Sequence, residues 1–418
     1  MKKNMAATRE YDIVLLGPTG YTGKLCAEHI VQSLPTNLKW ALAGRNLSKV
    51  EGVAKELKEL NPDRVDPAII AVQLNREELQ PLAQKTRLVI NCVGPYHLYS
   101  TPVVEACASN GTHYVDATGE TPWVKSIIEK YHETAKSNGA IVIPSVGIES
   151  APADILTWSA VKTVREKLSC QPREVVSAIE EMKTSGASGG TLNTILTIVE
   201  SLPASDLMKI ADPYTLAASK PPRKIPSEPL LSRMLGIRSV RDLGTLTTCP
   251  SGTADVSIIH RSSTLIPEFY GPSFFSRQFL RVRNAFVAAA VHLAFVAGIA
   301  LILLSPVRKL LKRYIYAPGN GPTKEDSVND RVEYRAIATA DQDVPSPQRV
   351  FGKLTYDGSM YFFTGLLMAE AAMTILDNEE KVKKVSRGGI VTPATLGQEF
   401  VDRLEKVGCR IETQVFDN

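Results

Sequence analysis

The chain has 418 residues, a formal net charge of +4, and 44% hydrophobic and 22% charged residues. That length exceeds one ordinary core and points to two domains with room for an extra segment. The composition is that of a folded globular protein, and so small a net charge leaves no electrostatic footprint for nucleic acid.

The six cysteines (Cys26, Cys92, Cys107, Cys170, Cys249, Cys409) show no CxxC pair and no zinc spacing with histidine. They read as reduced thiols in a cytosol-facing protein, with no metal site. The first residues carry only a short apolar run that leads into glycines, so they read as a first strand and not as a signal peptide.

Tyr11 to Leu16, YDIVLL, suits a parallel strand buried on both faces. From Thr22 onward, Leu25, Cys26, His29 and Ile30 fall at helical spacing. Gly17, Gly20 and Gly23 therefore sit at a strand-to-helix turn, where free N–H groups and the helix dipole favour phosphate. A triphosphate loop needs four residues between its glycines, then Lys and Ser/Thr. Here five residues separate Gly17 from Gly23, and Leu25 follows Lys24. The spacing instead matches a dinucleotide fingerprint with its first interval widened by one.

The next strand, LKWALAGRN, ends without the acid that holds the ribose hydroxyls of NAD. Arg45 stands there instead, with Lys49 one turn into the following helix. A guanidinium at this point pairs with a 2′-phosphate, so NADP(H) is expected over NAD.

Alternation continues with strands at Ala68–Val72, Arg87–Val93, His113–Asp116 and Ala140–Pro144, and helices at Arg76–Ala83, Thr101–Ser109 and Trp123–Ser137. This pattern means a doubly wound parallel sheet that binds ligand at the carboxyl ends of its strands. Residues with site chemistry collect there: Asn91 to Tyr96, Asp116 to Glu120 and Ser145 to Ser150. Gly17, Thr19, Gly20, Thr22, Gly23, Arg45, Asn91, Val93 and Gly94 form the expected cofactor set. Gly94 leaves room for a ribose or nicotinamide edge, and Asn91 and Tyr96 offer hydrogen bonds. Ordinary turn chemistry explains the same residue types, and a lone His97 is more often structural than catalytic.

The motifs GPTGYTG, AGRN, NCVGPY, YVDATGE, PSVGIESAPAD and SGASGGT, in that order, resemble the saccharopine dehydrogenase-like oxidoreductases. That group includes trans-acting enoyl reductases and lipid-droplet-associated relatives. The resemblance implies a Rossmann domain, a second α+β domain and a C-terminal return to the first. It does not imply saccharopine as substrate, because no cluster of cationic groups suited to several carboxylates is identifiable.

Beyond Ala151 the reading is a helix over ADILTWSAVKTVREKL, a strand over Glu174–Met182, and a helix opened by Gly186, Gly189 and Gly190. That glycine-rich start is either an anion or acyl-carbonyl pocket or a tight turn. Leu202–Ser232 reads as loop, and Thr245–Ile259 as strands joined by a Pro-Ser-Gly turn.

Ala285 to Leu304 holds one histidine and no formal charge. As a helix it is roughly 30 Å long, enough to cross a hydrocarbon core. Basic residues flank both ends, and Phe269, Tyr270, Phe274, Phe275 and Phe279 upstream suggest an interfacial aromatic cluster. Globular patterning resumes after Arg331, with EYRAIATA and MYFFTG as strands and AEAAMTIL and GQEFVDRLEKVG as helices. If those complete the substrate domain, both flanks lie on one side of the bilayer, so a monotopic or re-entrant anchor is expected.

The expected fold class is α/β: a Rossmann-type doubly wound parallel sheet, a second α+β domain and one membrane-associating segment. The expected domains are 1–146 (NADP-binding), 147–275 (substrate, first part), 276–316 (membrane or lipid-droplet segment) and 317–418 (remainder and return to the first domain). The expected function is NADP(H)-dependent reduction of a lipid-linked or polyketide-type acyl substrate at a cytosol-facing membrane or lipid-droplet surface. The chain would work as a homo-oligomer or beside a lipid-synthesis enzyme. No Tyr-x-x-x-Lys pair is present, and Tyr96, Glu149 and Ser188 are the candidate proton or hydrogen-bond donors, with Asp154 a further possibility. The alternatives are a non-catalytic NADP-binding sensor or scaffold, and a reductase of amino-acid-derived imines.

Overall fold

The computed structural model describes residues 9–186, 189–201, 212–219, 226–312 and 321–416. Its strands, in chain order, are β1 (Tyr11–Leu16), β2 (Trp40–Gly44), β3 (Ala68–Ala71), β4 (Thr86–Asn91), β5 (His113–Asp116), β6 (Ile141–Ile143), β7 (Pro172–Lys183), β8 (Arg238–Val240), β9 (Gly244–Thr248), β10 (Phe275–Arg281), β11 (Arg331–Ala340), β12 (Arg349–Asp357), β13 (Gly389–Ile390) and β14 (Arg410–Val415). They form two seven-stranded sheets, ordered β13-β6-β5-β4-β1-β2-β3 and β14-β12-β11-β7-β10-β9-β8.

The first sheet is parallel throughout. Its central strand shows why an unbroken apolar run was needed. Ile13 and Leu15 belong to one core with Cys26 and Ile30 of the Tyr21–Ser33 helix, while Val14 and Leu16 belong to a second core with Leu79 and Val104. A strand covered by helices on both faces cannot afford polar alternation. The order of the strands reverses between β1 and β4, so the ligand crevice opens at their carboxyl ends.

The second sheet is mixed: β10 runs parallel to β7, and β11 runs antiparallel to both β7 and β12. The Ala151–Leu168 helix packs on it, with Leu156 Cδ1 only 3.0 Å from where a Cβ on Gly352 would sit. Asp154 of that helix is fully buried and accepts from Ser262 Oγ at 2.7 Å and Ala394 N at 2.8 Å. Burial pushes its carboxyl up to about 7. Asp154 is thus engaged within the structure and is not a free proton donor.

The chain then returns. The Met360–Asp377 helix lies against the Tyr21–Ser33 helix so tightly that a Cβ on Gly365 would come within 2.7 Å of Cys26 N, and β13 completes the first sheet beside β6.

Three local expectations are corrected. MYFFTG opens the Met360–Asp377 helix, capped by Ser359, and does not form a strand. Its aromatic residues favour strands locally, but burial on both sides of this helix overrides that preference. Of Thr245–Ile259, only the first part is strand; Gly252–Leu265 is a helix. The aromatic cluster is core. Tyr270, Phe274, Phe275 and Phe279 are buried, and Phe269 stacks on Trp158 at 5.5 Å. The loop read over Leu202–Ser232 contains a short helix from Leu230 and otherwise lies partly outside the described residues.

Candidate active site

The glycine loop joins β1 to the Tyr21–Ser33 helix. Gly17 has φ +83°, a conformation L side chains rarely adopt, and a Cβ there would meet Val93 Cγ2 at 2.7 Å. A Cβ on Gly23 would overlap the carbonyl of Gly17, so the helix can approach the strand only without one. Gly20 differs: its nearest protein neighbour would lie 3.4 Å away, an ordinary contact. The protein itself therefore leaves space for a side chain at Gly20, in front of the helix. The N–H groups of Thr19, Tyr21, Thr22 and Gly23 donate to no protein acceptor among the described residues. Free amides, a helix N-terminus and an open face over a glycine fit the pyrophosphate of a dinucleotide.

β2 runs beside β1, with Gly17 N donating to Ala43 O at 2.9 Å. That brings Gly44 within 4.0 Å of Pro18 for an added Cβ, and Arg45 follows at the crevice edge. Arg45 and Lys49 are exposed and pair with no carboxylate among the described residues. Asn46 caps the next helix through Lys49 N at 3.1 Å. An unpaired guanidinium at this edge suits a 2′-phosphate. Arg45→Asp is expected to weaken NADPH by roughly 100-fold, the worth of a charge-assisted hydrogen bond pair, while NADH changes little. Fluorescence titration of both cofactors checks this, and equal losses would remove the assignment.

At the end of β4 the side chain of Asn91 is wholly used inside the protein. It donates to Ser100 Oγ at 2.8 Å and Tyr114 Oη at 3.0 Å, and accepts from Val93 N at 3.1 Å. Asn91 therefore shapes the loop and does not reach into the crevice. Val93 packs over Gly17, and Gly94 is exposed beside it. Tyr96 stacks on Trp123 at 5.7 Å and turns its hydroxyl back between the strand ends, 3.4 Å from Asn91 O and from Ala117 N. Burial and the nearby Asp116 carboxyl raise its hydroxyl well above the ordinary value, so it stays protonated.

His97 gains a defined role. Its Nδ1 lies 2.6 Å from Glu120 Oε2, and Glu120 also accepts from Tyr96 N at 2.7 Å and His97 N at 2.8 Å. One buried carboxylate thus ties the loop after β4 to the loop after β5. Asp116 does the same for β5 and β6, accepting from Thr118 N, Ser145 N and Tyr114 Oη. Burial pushes Asp116 up to about 7. Ser145 takes φ +65°, a strained value at a strand end facing the crevice.

Glu149 is the carboxylate this framework delivers to the crevice. It is accessible, and a Cβ on Gly119 would overlap its carboxylate, so the group lies across the end of β5. It has no cationic partner among the described residues. Protein crowded around it raises its carboxyl above the ordinary range. Two later segments support it from behind: Tyr334 of β11 donates to Ile148 O at 3.0 Å, and Ile148 N lies 3.4 Å from Thr364 Oγ1 of the returning Met360–Asp377 helix. Asp255, Tyr334 and Glu149 interact electrostatically, and Asp255 is fully buried with Oδ1 unpartnered. Ser188, the third candidate donor, lies outside the described residues.

Residues 13–143 match the family model described as the saccharopine dehydrogenase NADP binding domain. Across 425 residues the chain is 29% identical to a Mycobacterium tuberculosis protein named as a candidate trans-acting enoyl reductase, covering 98% of each chain. It is 27% identical over 416 residues to a trans-acting enoyl reductase of Mycobacterium ulcerans, covering 96% of this chain and 97% of that one. Among solved structures, apo saccharopine dehydrogenase (L-Glu forming) of Saccharomyces cerevisiae aligns with a TM-score of 0.56 and 15% identity over 97% of this chain and 100% of that chain. At that identity the likeness shows a shared fold.

Proposed function

We propose that this saccharopine dehydrogenase-like chain is an NADP(H)-dependent oxidoreductase that reduces the activated double bond of an acyl substrate. The NADP(H) preference rests on the family of residues 13–143 and on the unpaired Arg45. The enoyl substrate rests on the names of relatives that share nearly the whole chain. The observation that carries a catalytic reading over a sensor or scaffold is Glu149, a carboxyl with no cationic partner among the described residues, lying against Gly119 beyond the carboxyl end of β5.

When bound, NADPH supplies a hydride to the β-carbon of the substrate. The C=C electron pair moves to the thioester oxygen, and the α-carbon then takes a proton. In this reading Glu149 gives that proton in its neutral form and recovers one from solvent. Glu120 and Asp116 hold the three loops that orient it. Relatives named as trans-acting suggest that the acyl chain arrives on another protein, such as a lipid-synthesis enzyme.

The Ala285–Ile302 helix supports work at a lipid surface. Only Ala288 is buried, and Phe286 is 82% exposed. Leu230, Leu231 and Met234 extend the apolar face from a neighbouring helix. By contrast, the equally long Met360–Asp377 helix is packed inside the protein. Thr247 Oγ1 and Thr248 Oγ1 hold the exposed helix to β9 at Ala288 O (2.8 Å) and His292 Nδ1 (2.9 Å). β10 before it and β11 after it flank the same strand, β7. A single crossing would put neighbouring strands on opposite sides of a bilayer, so the helix lies in one leaflet or monolayer.

The test uses 4-deuterated NADPH, each face labelled in turn, with the N-acetylcysteamine thioester of trans-2-decenoic acid. Deuterium at the β-carbon of the saturated product is the expected result. Protein that binds NADPH but transfers no label to this thioester or to an extract of cellular lipids would move the reading to a sensor or scaffold.

A further inference from the structure

Residues 269–324 hold eight lysines and arginines and no aspartate or glutamate, which leaves the remainder of the chain net negative. The exposed apolar helix, Ala285–Ile302, lies in the middle of this stretch. Its start is fixed by Asn284, whose side chain accepts from Val287 N at 3.0 Å, and Arg283 stands immediately before that cap. Its end is held by Arg308, which donates to Ile302 O at 2.9 Å and Leu303 O at 2.7 Å, and Lys309 follows. Cations therefore stand at both ends of an apolar rod roughly 27 Å long. A further one, Arg233, lies among Leu230, Leu231 and Met234 on the short helix that meets this rod where His292 fills the space over Gly236.

Part of this charge is neutralised within the protein. Arg281 pairs with Glu180 at 3.6 Å, and Glu200 takes both Lys312 at 2.7 Å and Arg308 at 3.6 Å. Arg233, Arg283 and Lys309 are exposed and have no carboxylate partner among the described residues. Hydrocarbon alone gives these three nothing to bind, and nucleic acid gives the rod between them no apolar bed. A surface that receives apolar side chains beneath a layer of negative headgroups answers both demands. Long basic side chains hold their charge at headgroup level while their stems lie along apolar neighbours. A helix in the plane of one leaflet also brings both of its ends to that one layer, whereas a crossing helix would divide them between two.

We propose that the lipid surface under the Ala285–Ile302 helix is an anionic one, its acidic headgroups bound by Arg283 and Lys309 at the two ends of the helix and by Arg233 beside it. This rests on the lipid-surface reading given above. The apolar helix supplies the attachment, and the three cations select the surface. One basic residue at an anionic leaflet is worth about fivefold in binding, and the attraction fades within a Debye length.

The experiment measures flotation of the full chain with vesicles of phosphatidylcholine alone and of phosphatidylcholine with phosphatidylserine (4:1). Each is run at about 0.1 M and about 1 M NaCl, where charge is screened beyond about 10 Å and about 3 Å. At the lower salt, binding to the mixed vesicles is expected to exceed binding to phosphatidylcholine by roughly 100-fold, the product of three free cations, and the higher salt should remove most of that preference. The double variant Arg283→Gln/Lys309→Gln should lose about 25-fold on the mixed vesicles, with flotation on phosphatidylcholine and NADPH affinity unchanged. Equal binding to the two vesicles at the lower salt overturns the headgroup recognition and leaves the lipid-surface reading intact. Protein that binds neither overturns both, and its sedimentation as a dimer would assign the apolar helix to a second copy of the chain. A double variant that keeps the wild-type preference removes Arg283 and Lys309 from it and overturns the proposal.

Discussion

Gly23→Ala is expected to lose NADPH binding together with the fold of the first domain, whereas Gly20→Ala is expected to lose NADPH binding alone. The two glycines share a motif but answer to different neighbours. A methyl at Gly23 would overlap the backbone carbonyl of Gly17, and backbone cannot swing aside as a flexible side chain does. The helix would have to lift from β1, opening the core around Cys26, Ala27 and Ile30. Overpacking of this kind costs about 1–3 kcal/mol, a large share of a typical domain's stability. At Gly20 the nearest protein atom would be at 3.4 Å, and its backbone is ordinary extended chain at φ −78°. Alanine there fits the protein and projects into the pyrophosphate cradle. Thermal melts and NADPH titration of both variants separate the two cases. A Gly20→Ala protein that melts normally and binds NADPH normally would show that the cradle holds something other than a dinucleotide.

The contrast between these glycines also marks how far the sequence could be read. Spacing located the turn, and the missing acid at Arg45 was a local signal. Each rests on neighbours within a few residues. The alternation of apolar runs and amphipathic helices likewise located the first sheet up to β6, because a doubly covered strand writes its burial into consecutive residues.

What could not be read depends on partners far apart in the chain. Glu120 stood out only as part of a turn, and nothing local says that it bonds to His97 and Tyr96 more than twenty residues earlier. Tyr334 reaches Ile148 across 186 positions, so its support of the Glu149 loop has no sequence signature. Asn91 looked like a cofactor ligand because its type and place were right, yet Ser100 and Tyr114 use up its amide. The apolar segment was legible as a helix from composition. The aromatic cluster before it was misjudged for the same reason: composition gives hydrophobicity, and only packing says whether Tyr270 and Phe274 face lipid or one another, with ring centroids 4.9 Å apart.

Glu149→Gln is expected to cut turnover of the decenoyl thioester by 10²–10⁴-fold, the usual worth of a positioned general acid, with NADPH affinity unchanged. Glutamine keeps the size and polarity that lie against Gly119 but cannot release a proton. The pH dependence follows from the same carboxyl. Its pKa is raised in the folded protein by the crowding around it, and it is the neutral form that donates. Activity should therefore be highest below that raised value and fall as pH rises through it. An ordinary surface carboxyl would have lost its proton at lower pH, so the falling limb should lie above the usual glutamate range. The variant should lose this limb along with its rate. Tyr334→Phe, which frees the Ile148 carbonyl, should move the limb and lower kcat by less than Glu149→Gln does. If Glu149→Gln retains wild-type turnover within threefold, the proton comes from elsewhere, and a pH profile that keeps its falling limb in the variant would then direct attention to the buried carboxyl of Asp255, whose Oδ1 has no partner among the described residues.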